Sequence, residues 1–251
     1  MFFLHENTGG LSFSQLFARQ VIDMAEHLLI GGITPFSTVD WPGKLACVAF
    51  LAGCPWRCPY CQNHALQSFG AATLDERDLY GFLQARRGLL DGVVFSGGEP
   101  LAQAATIDAM RHAKELGFQV GLHTCGCYPG RLADALPLVD WVGLDVKAPW
   151  GAYERVTRVG ETGELVKRSL GLILASGVDM EARTTWHPHL LSAEDISAIG
   201  HDLAERGVRT WAIQAYRHAG TTGELADETV YPSEVPAGLA ELFESYEFRR
   251  A

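Results

Sequence analysis

Short, unbroken apolar runs recur along the chain. Each is followed by a few polar or special residues and then by a stretch with helical spacing. The runs are Leu45–Leu51, Gly92–Phe95, Phe118–Leu122, Trp141–Leu144, Val178–Ala182 and Thr210–Ile213. Apolar runs of strand length without alternation read as strands buried on both faces. Helical spacing covers Asp75–Leu90, Leu101–Leu116, Pro129–Leu136, Gly163–Ser176 and Ala193–Arg206, with Gly117, Gly177 and Gly207 at helix ends. Six strands separated mostly by helices predict an α/β fold with parallel pairing through right-handed crossovers. Six units fall short of the eight in a closed barrel, so a partial (β/α)6 barrel is expected.

Two further helices are predicted outside that alternation. Ser14–Leu29 places Leu16, Phe17, Val21, Met24, Ala25 and Leu28 on or near one face, before Gly31-Gly32 breaks the pattern. Packing on the outside of the domain is the plain reading of that helix, and docking to a partner is the other. Pro236–Phe248 reads as a closing helix. No internal repeat, low-complexity tract or clear linker divides the chain. One domain is expected over 1–251, with an N-terminal extension at 1–32, a barrel core at 33–220 and a C-terminal segment at 221–251.

The residues with chemistry follow the strands and do not precede them. Cysteines come after the first, Gly97-Gly98-Glu99 after the second and His123-Thr124 after the third. Asp145-Val146-Lys147 follows the fourth strand, Arg183-Thr184-Thr185 the fifth and Gln214-Ala215-Tyr216-Arg217 the sixth. In parallel α/β barrels the C-terminal ends of the strands carry the active site. A polar loop after any one strand is ordinary; six converging loops point to a site.

Composition narrows the class. The chain has 251 residues, 47% hydrophobic and 20% charged, which fits a globular domain with a sizeable core. A formal net charge of −10 disfavours nucleic-acid binding through a basic face. Six cysteines, three of them in one loop, do not look like a disulfide scaffold at this length. The N-terminus lacks the basic flank and apolar stretch of a signal peptide. No apolar run reaches the roughly 18 residues of a membrane span. A soluble cytoplasmic protein without a membrane or nucleic-acid partner is expected.

The densest chemistry is Cys54-Pro55-Trp56-Arg57-Cys58-Pro59-Tyr60-Cys61. Three thiols in one loop can converge on a metal centre, and thiolates select zinc, Cu(I) or iron–sulfur clusters. Structural zinc usually takes four ligands, and the next cysteine is Cys125. A [4Fe–4S] cluster on three thiolates, with one iron left open, is the sharper reading.

Cys-x3-Cys-x-aromatic-Cys resembles the cluster loop of the radical S-adenosylmethionine (SAM) enzymes. The runs Thr38-Val39-Asp40-Trp41-Pro42-Gly43-Lys44 and Val48-Ala49-Phe50-Leu51-Ala52-Gly53-Cys54, with Cys61-Gln62-Asn63, are similar to activating enzymes of glycyl radical proteins. Among those the anaerobic ribonucleoside-triphosphate reductase activating proteins are most alike. Gly97-Gly98-Glu99-Pro100 fits the same superfamily, and the resemblance runs from about Pro35 to about Gly220.

The resemblance implies a partial TIM-like barrel with a [4Fe–4S] cluster on Cys54, Cys58 and Cys61. The open iron would chelate SAM, and a 5′-deoxyadenosyl radical would place a glycyl radical on a partner enzyme. Reduced flavodoxin or ferredoxin would donate the electron. It also implies a SAM site: Tyr60 near the adenine, Asp145 and Lys147 on the ribose, ammonium or carboxylate, and Thr124 in a matching position. Gly97 and Gly98 allow close backbone approach, and Glu99 is expected to accept from the SAM ammonium. His123 replaces an acid common in relatives. Arg217 stands where relatives often have histidine, and suits a carboxylate or phosphate. No catalytic residue is expected beyond the cluster and SAM ligands. Cys47, Cys125 and Cys127 read as inert thiols, and His187 and His189 as structural. Two rival readings are a small-molecule radical SAM enzyme such as a 7-carboxy-7-deazaguanine synthase, and a non-enzymatic zinc or redox module.

Overall fold

The computed structural model describes residues 27–217, 225 and 235–250. Eight strands form one sheet in the order β1-β2-β3-β4-β5-β6-β7-β8. They are β1 Ile30–Ser37, β2 Ala46–Leu51, β3 Gly92–Gly97, β4 Gln119–Thr124, β5 Trp141–Asp145, β6 Asp179–Trp186, β7 Thr210–Ala215 and β8 Ser245–Arg249. β1 runs antiparallel to β2, and every later neighbour is parallel. The six strands expected from the sequence are β2 to β7, the consecutive parallel core of a partial barrel.

The connecting helices are α1 Glu76–Arg86, α2 Ala105–Glu115, α3 Pro129–Ala135, α4 Tyr153–Thr157, α5 Thr162–Ser176 and α6 Ala193–Glu205. Local chemistry sets their starts. Asp75 caps α1 by accepting from the Arg77 and Asp78 amides, and Ser192 caps α6 by accepting from Asp195. Caps of this kind contribute about 1 kcal/mol each.

Side chains alternate across each strand, and the two faces of β2 separate cleanly. Cys47, Ala49 and Leu51 join the large core beneath the helices. Ala46, Val48 and Phe50 face the barrel interior with Trp41, Val94 and Trp141. Trp41 and Trp141 stack there at 5.8 Å between ring centroids. Two glycines make room for Trp41: a Cβ on Gly121 would lie 2.9 Å from its ring, and one on Gly92 would meet it at 3.0 Å. Trp41 thus plugs the interior of the barrel.

Two expectations need correction or fall outside the described residues. The closing helix over Pro236–Phe248 is absent; a short 3-10 turn at Ala240–Leu242 leads into β8, which pairs with β7. Phe243 and Tyr246 pack on Trp211, so an extended segment covers that strand. The N-terminal helix lies outside the described residues except for 27–29, which are irregular.

Candidate functional site

A cavity of about 660 Å³ opens at the C-terminal ends of the strands. One wall is the cysteine loop. Cys54, Cys58 and Cys61 all line the cavity, with Trp56 and Tyr60 between them. Hydrogen bonds pin this loop at its start and middle. The Gly53 amide donates to Leu66 O at 2.7 Å, Cys54 N to Gln67 O at 3.1 Å and Arg57 N to Thr157 O at 3.0 Å. The Arg57 guanidinium folds back onto the carbonyls of Cys54 and Trp56. Trp56 is fully buried against the edge of Tyr153. The start and middle of the loop are therefore tied to the rest of the fold.

Burial pushes the Cys54 thiol up to about 12 and the Cys58 thiol up to about 11. Thiolates are thus unfavourable here until a cation compensates them, as metal coordination does.

The β3 end crosses directly over that loop. Gly98 N donates to Leu51 O and Glu99 N to Gly53 O, both at 2.8 Å. A Cβ on Gly98 would stand 2.4 Å from Gly53 O, and one on Gly97, at φ +116, would stand 2.3 Å from Leu51 N. These glycines line the cavity. Their first requirement is the approach of one backbone to another, which only glycine permits.

Asp145 and Lys147 line the cavity next to that loop, their side chains 3.0 Å apart. The Lys147 ammonium also sits 5.5 Å from the centroid of the Tyr60 ring. Burial works against its charge, but Asp145, Tyr60 and Cys58 outweigh burial and hold its pKa well above the usual value. The ammonium is a fixed positive charge beside the cysteine loop. Tyr60 is buried and its hydroxyl has no hydrogen-bond partner among the described residues. An orphaned polar atom of this kind on a cavity wall calls for a ligand or water. Arg217 also lines the cavity.

Glu99 and Thr124 are not on the cavity wall. Glu99 is fully buried, and its carboxylate accepts from Leu101 N at 3.0 Å, Thr124 Oγ1 at 2.8 Å and Cys125 N at 2.7 Å. Burial raises its pKa while those three donors oppose the rise. The carboxylate expected to receive a ligand ammonium forms a clasp between the ends of β3 and β4.

In the remaining wall, Ser96, Glu247 and Arg249 escaped the sequence reading, whereas His123, Arg183, Thr185 and Gln214 are among the residues it places after strands. Ser96, His123, Arg183, Thr185, Gln214, Glu247 and Arg249 line the cavity together with Asp40 and Asn63. Ser96, His123, Asp145, Arg183 and Thr185 belong to one inward-facing set, which two-residue counting selects once the strand register is known. His123 Nδ1 meets Ser96 Oγ at 3.2 Å, and Nε2 faces both Asp40 O at 2.7 Å and Arg183 Nη1 at 2.9 Å. That nitrogen serves one of the two at a time, because donating to Asp40 excludes accepting from Arg183. Burial and then the Arg183 charge lower the His123 pKa, so the ring is neutral. Gly143 leaves the space: a Cβ there would meet His123 at 3.0 Å and Arg183 at 3.1 Å.

Of the residues read as inert, Cys125 lines the cavity, while Cys47, Cys127 and His187 do not. Cys47 faces the core of β2, and burial pushes its thiol up to about 12. His187 is fully buried against Tyr216 and His189.

Comparison with known proteins agrees with this geometry. Residues 48–210 match the Radical SAM superfamily. A protein of Methanocaldococcus jannaschii, provisionally named a glycyl-radical enzyme activating enzyme, is 34% identical over 217 residues, covering 82% of this chain and 87% of the relative. The isethionate sulfite-lyase activating enzyme of Nitratidesulfovibrio vulgaris is 30% identical over 171 residues, 64% of this chain and 54% of that one. Among solved structures, Streptococcus suis SuiB bound to S-adenosylmethionine shares the fold with a TM-score of 0.52 at 14% identity. That match covers 79% of this chain and 48% of SuiB.

Proposed function

The chain belongs to the radical SAM superfamily, enzymes that use a [4Fe–4S] cluster and SAM, and we propose that it generates a glycyl radical on a partner enzyme. Anaerobic ribonucleoside-triphosphate reductase is the partner proposed, with flavodoxin or ferredoxin as electron donor. The observation that carries this reading is the 34% identity over most of the chain to a relative provisionally named as such an activating enzyme. The continuous eight-stranded sheet supports reading the chain as one domain.

The donor set fits the cofactors. Three buried or half-buried thiols share a cavity with a fixed ammonium and a tyrosine hydroxyl unpartnered among the described residues. Cys54, Cys58 and Cys61 would hold the cluster. Bound cluster and SAM together supply one-electron reductive cleavage of a carbon–sulfur bond, and with it hydrogen-atom abstraction. The protein supplies placement and exclusion. Lys147 would attract the SAM carboxylate, and Asp145 would hold Lys147 or accept from the ligand. Gly97 and Gly98 would present backbone to the ligand, and the Tyr60 ring and hydroxyl would border it. Glu99 would act from behind, fixing the β3 and β4 ends that carry these groups. Arg217 would contact the carboxylate of the ligand or a substrate group near the rim.

Exposed apolar residues support a macromolecular partner. Val39 lines the cavity yet is 78% exposed, and Phe36 nearby is 59% exposed. Exposed apolar residues grouped beside a site suit a surface that a partner covers. The test is electron paramagnetic resonance of the reconstituted, reduced protein mixed with SAM and anaerobic ribonucleotide reductase. A glycyl radical signal is expected only with all components. Turnover driven by a pterin-like small molecule, with no radical on the reductase, would overturn the proposal in favour of the small-molecule reading.

A further inference from the structure

Behind the cavity wall, Cys125 and Cys127 bracket Gly126 just past the end of β4. Two residues apart on an extended strand, their side chains would share a face at a spacing of about 6.6 Å. Gly126 has φ +73, a left-handed turn that folds the segment back. The sulfurs consequently meet at 3.3 Å. The turn is held from outside: Ser169 Oγ donates to Gly126 O at 2.6 Å, and Gly126 N donates to Thr124 Oγ1 at 3.0 Å. A Cβ on Gly126 would stand 2.9 Å from Leu144, so the turn has little room to open. Cys125 lines the cavity, while Cys127 is buried beside it and is not on the wall.

We infer that Cys125 and Cys127 are a dithiol–disulfide couple, a redox modification site in the wall of the radical SAM cavity and separate from the three cysteines of the cluster loop. Bond formation needs the sulfurs to close from 3.3 Å to about 2.05 Å, a short movement along a direction the turn already sets. The surroundings disfavour the thiolate, and both end states, dithiol and disulfide, are uncharged. Both sulfurs lie near the buried Glu99 carboxylate, with ligand atoms of all three residues within 4.8 Å of one another. A thiolate beside that carboxylate is unfavourable, and a disulfide carries no charge. Burial, Cys127 and Glu99 all push the Cys125 thiol up, so the couple exchanges slowly.

The oxidant is a small disulfide of the glutathione class. Cys125, the member of the pair that lines the cavity, attacks one sulfur of it through Sγ and releases the first small thiol. Cys127 Sγ then attacks Cys125 Sγ and releases the second. Two electrons and two protons pass to the small disulfide, and one intramolecular S–S bond forms. Closure draws the Cys125 side chain toward Cys127, so the oxidation state of the pair changes one wall of the cavity. A cation held by Glu99, Cys125 and Cys127 is the competing occupant. Both Glu99 oxygens are already engaged by three internal donors, which disfavours it.

The test uses the full chain with its cluster, equilibrated without oxygen in glutathione buffers from reduced to oxidised, then acid-quenched and alkylated. Trypsin releases Glu115–Arg131, which contains both thiols and no other cysteine. Expected is a cooperative change from two alkyl groups to none, with the peptide two hydrogens lighter and no accumulated glutathione adduct. In Cys127→Ser, Cys125 should instead end as a mixed disulfide with glutathione. The same pair of measurements on the Cys54→Ala, Cys58→Ala, Cys61→Ala triple variant should agree, whether or not the cluster reading holds. Two alkyl groups in every buffer, with no adduct on Cys127→Ser in either background, would overturn the inference. So would stoichiometric zinc that blocks alkylation of both thiols without the loss of two hydrogens.

Discussion

Glu99→Gln separates a ligand contact from a structural clasp. The wild-type carboxylate takes three hydrogen bonds in a fully buried position: Leu101 N and Thr124 Oγ1 on one oxygen, Cys125 N on the other. Glutamine has the same shape but can accept on one atom only. Its better orientation keeps the carbonyl toward Leu101 and Thr124 and turns the amide NH2 toward the Cys125 N–H. Two donors then face each other and one buried N–H loses its acceptor, at a cost of about 1–3 kcal/mol. For a chain of this size each kcal/mol moves the melting temperature by about 2–4 °C, so a fall of about 2–12 °C is expected. The assay is anaerobic thermal unfolding by circular dichroism, paired with equilibrium dialysis of SAM on the reconstituted variant. The melting temperature should fall while SAM affinity changes by less than about tenfold, under 1.4 kcal/mol. An unchanged melting temperature with SAM affinity lost by about 30-fold or more, some 2 kcal/mol, would refute the clasp and restore the direct contact.

Other expectations concern the cavity and the sheet. Anaerobic reconstitution should give about four irons per chain, the count of one [4Fe–4S] cluster; alanine at Cys54, Cys58 or Cys61 should abolish it, and alanine at Cys125 or Cys127 should not. Lys147→Met should weaken SAM binding by about 2–5 kcal/mol, the cost of losing one partner of a buried charged contact, with iron content unchanged in the same samples. Gly98→Ala puts a methyl 2.4 Å from Gly53 O and should leave a protein that takes up little iron on reconstitution. Glu181 is buried between Arg183 and Arg249, at 2.6 and 2.8 Å. Burial pushes its pKa up, but Arg249 and Arg183 outweigh that and hold it below the usual carboxylate range. A depressed folded pKa means stability that is present above the unfolded value, about 4.3, and lost as pH falls through the folded value. Glu181→Gln should therefore cost about 3–5 kcal/mol in urea unfolding at pH 7. The gap to wild type should narrow as pH falls below the unfolded value of about 4.3 and close once pH is below the depressed folded value; a gap constant throughout acid titration would contradict the assignment.

The parts of the fold legible in the sequence are those decided locally. Strands buried on both faces announce themselves as apolar runs, and β2 to β7 follow them within a few residues. The cysteine loop is equally local. β1 was hidden because Gly31, Gly32 and Pro35 all argue against a strand. An antiparallel edge with register shifts tolerates them, and Leu66 packs over Gly31. β8 was read as a helix because the packing of Phe243 and Tyr246 on Trp211 is long-range and outweighs local spacing. Arg183 and His123 were legible as residues that follow strands, but that their side chains meet each other depends on strand register, which a single chain's spacing does not encode. Glu99 shows the same division. Its place after a strand beside two glycines was legible, whereas the direction of its carboxylate depends on Thr124 and Cys125, which the fold brings to it from another strand.

The central claim is that a protein backbone glycine is the hydrogen donor. Its most direct test is isotopic. Anaerobic ribonucleotide reductase deuterated at glycine Cα would be mixed with reduced, reconstituted protein and SAM, and the 5′-deoxyadenosine analysed by mass spectrometry. The account predicts one deuterium in the product, rising with partner concentration and absent with unlabelled partner. Unlabelled 5′-deoxyadenosine formed at an equal rate with or without the partner would contradict it.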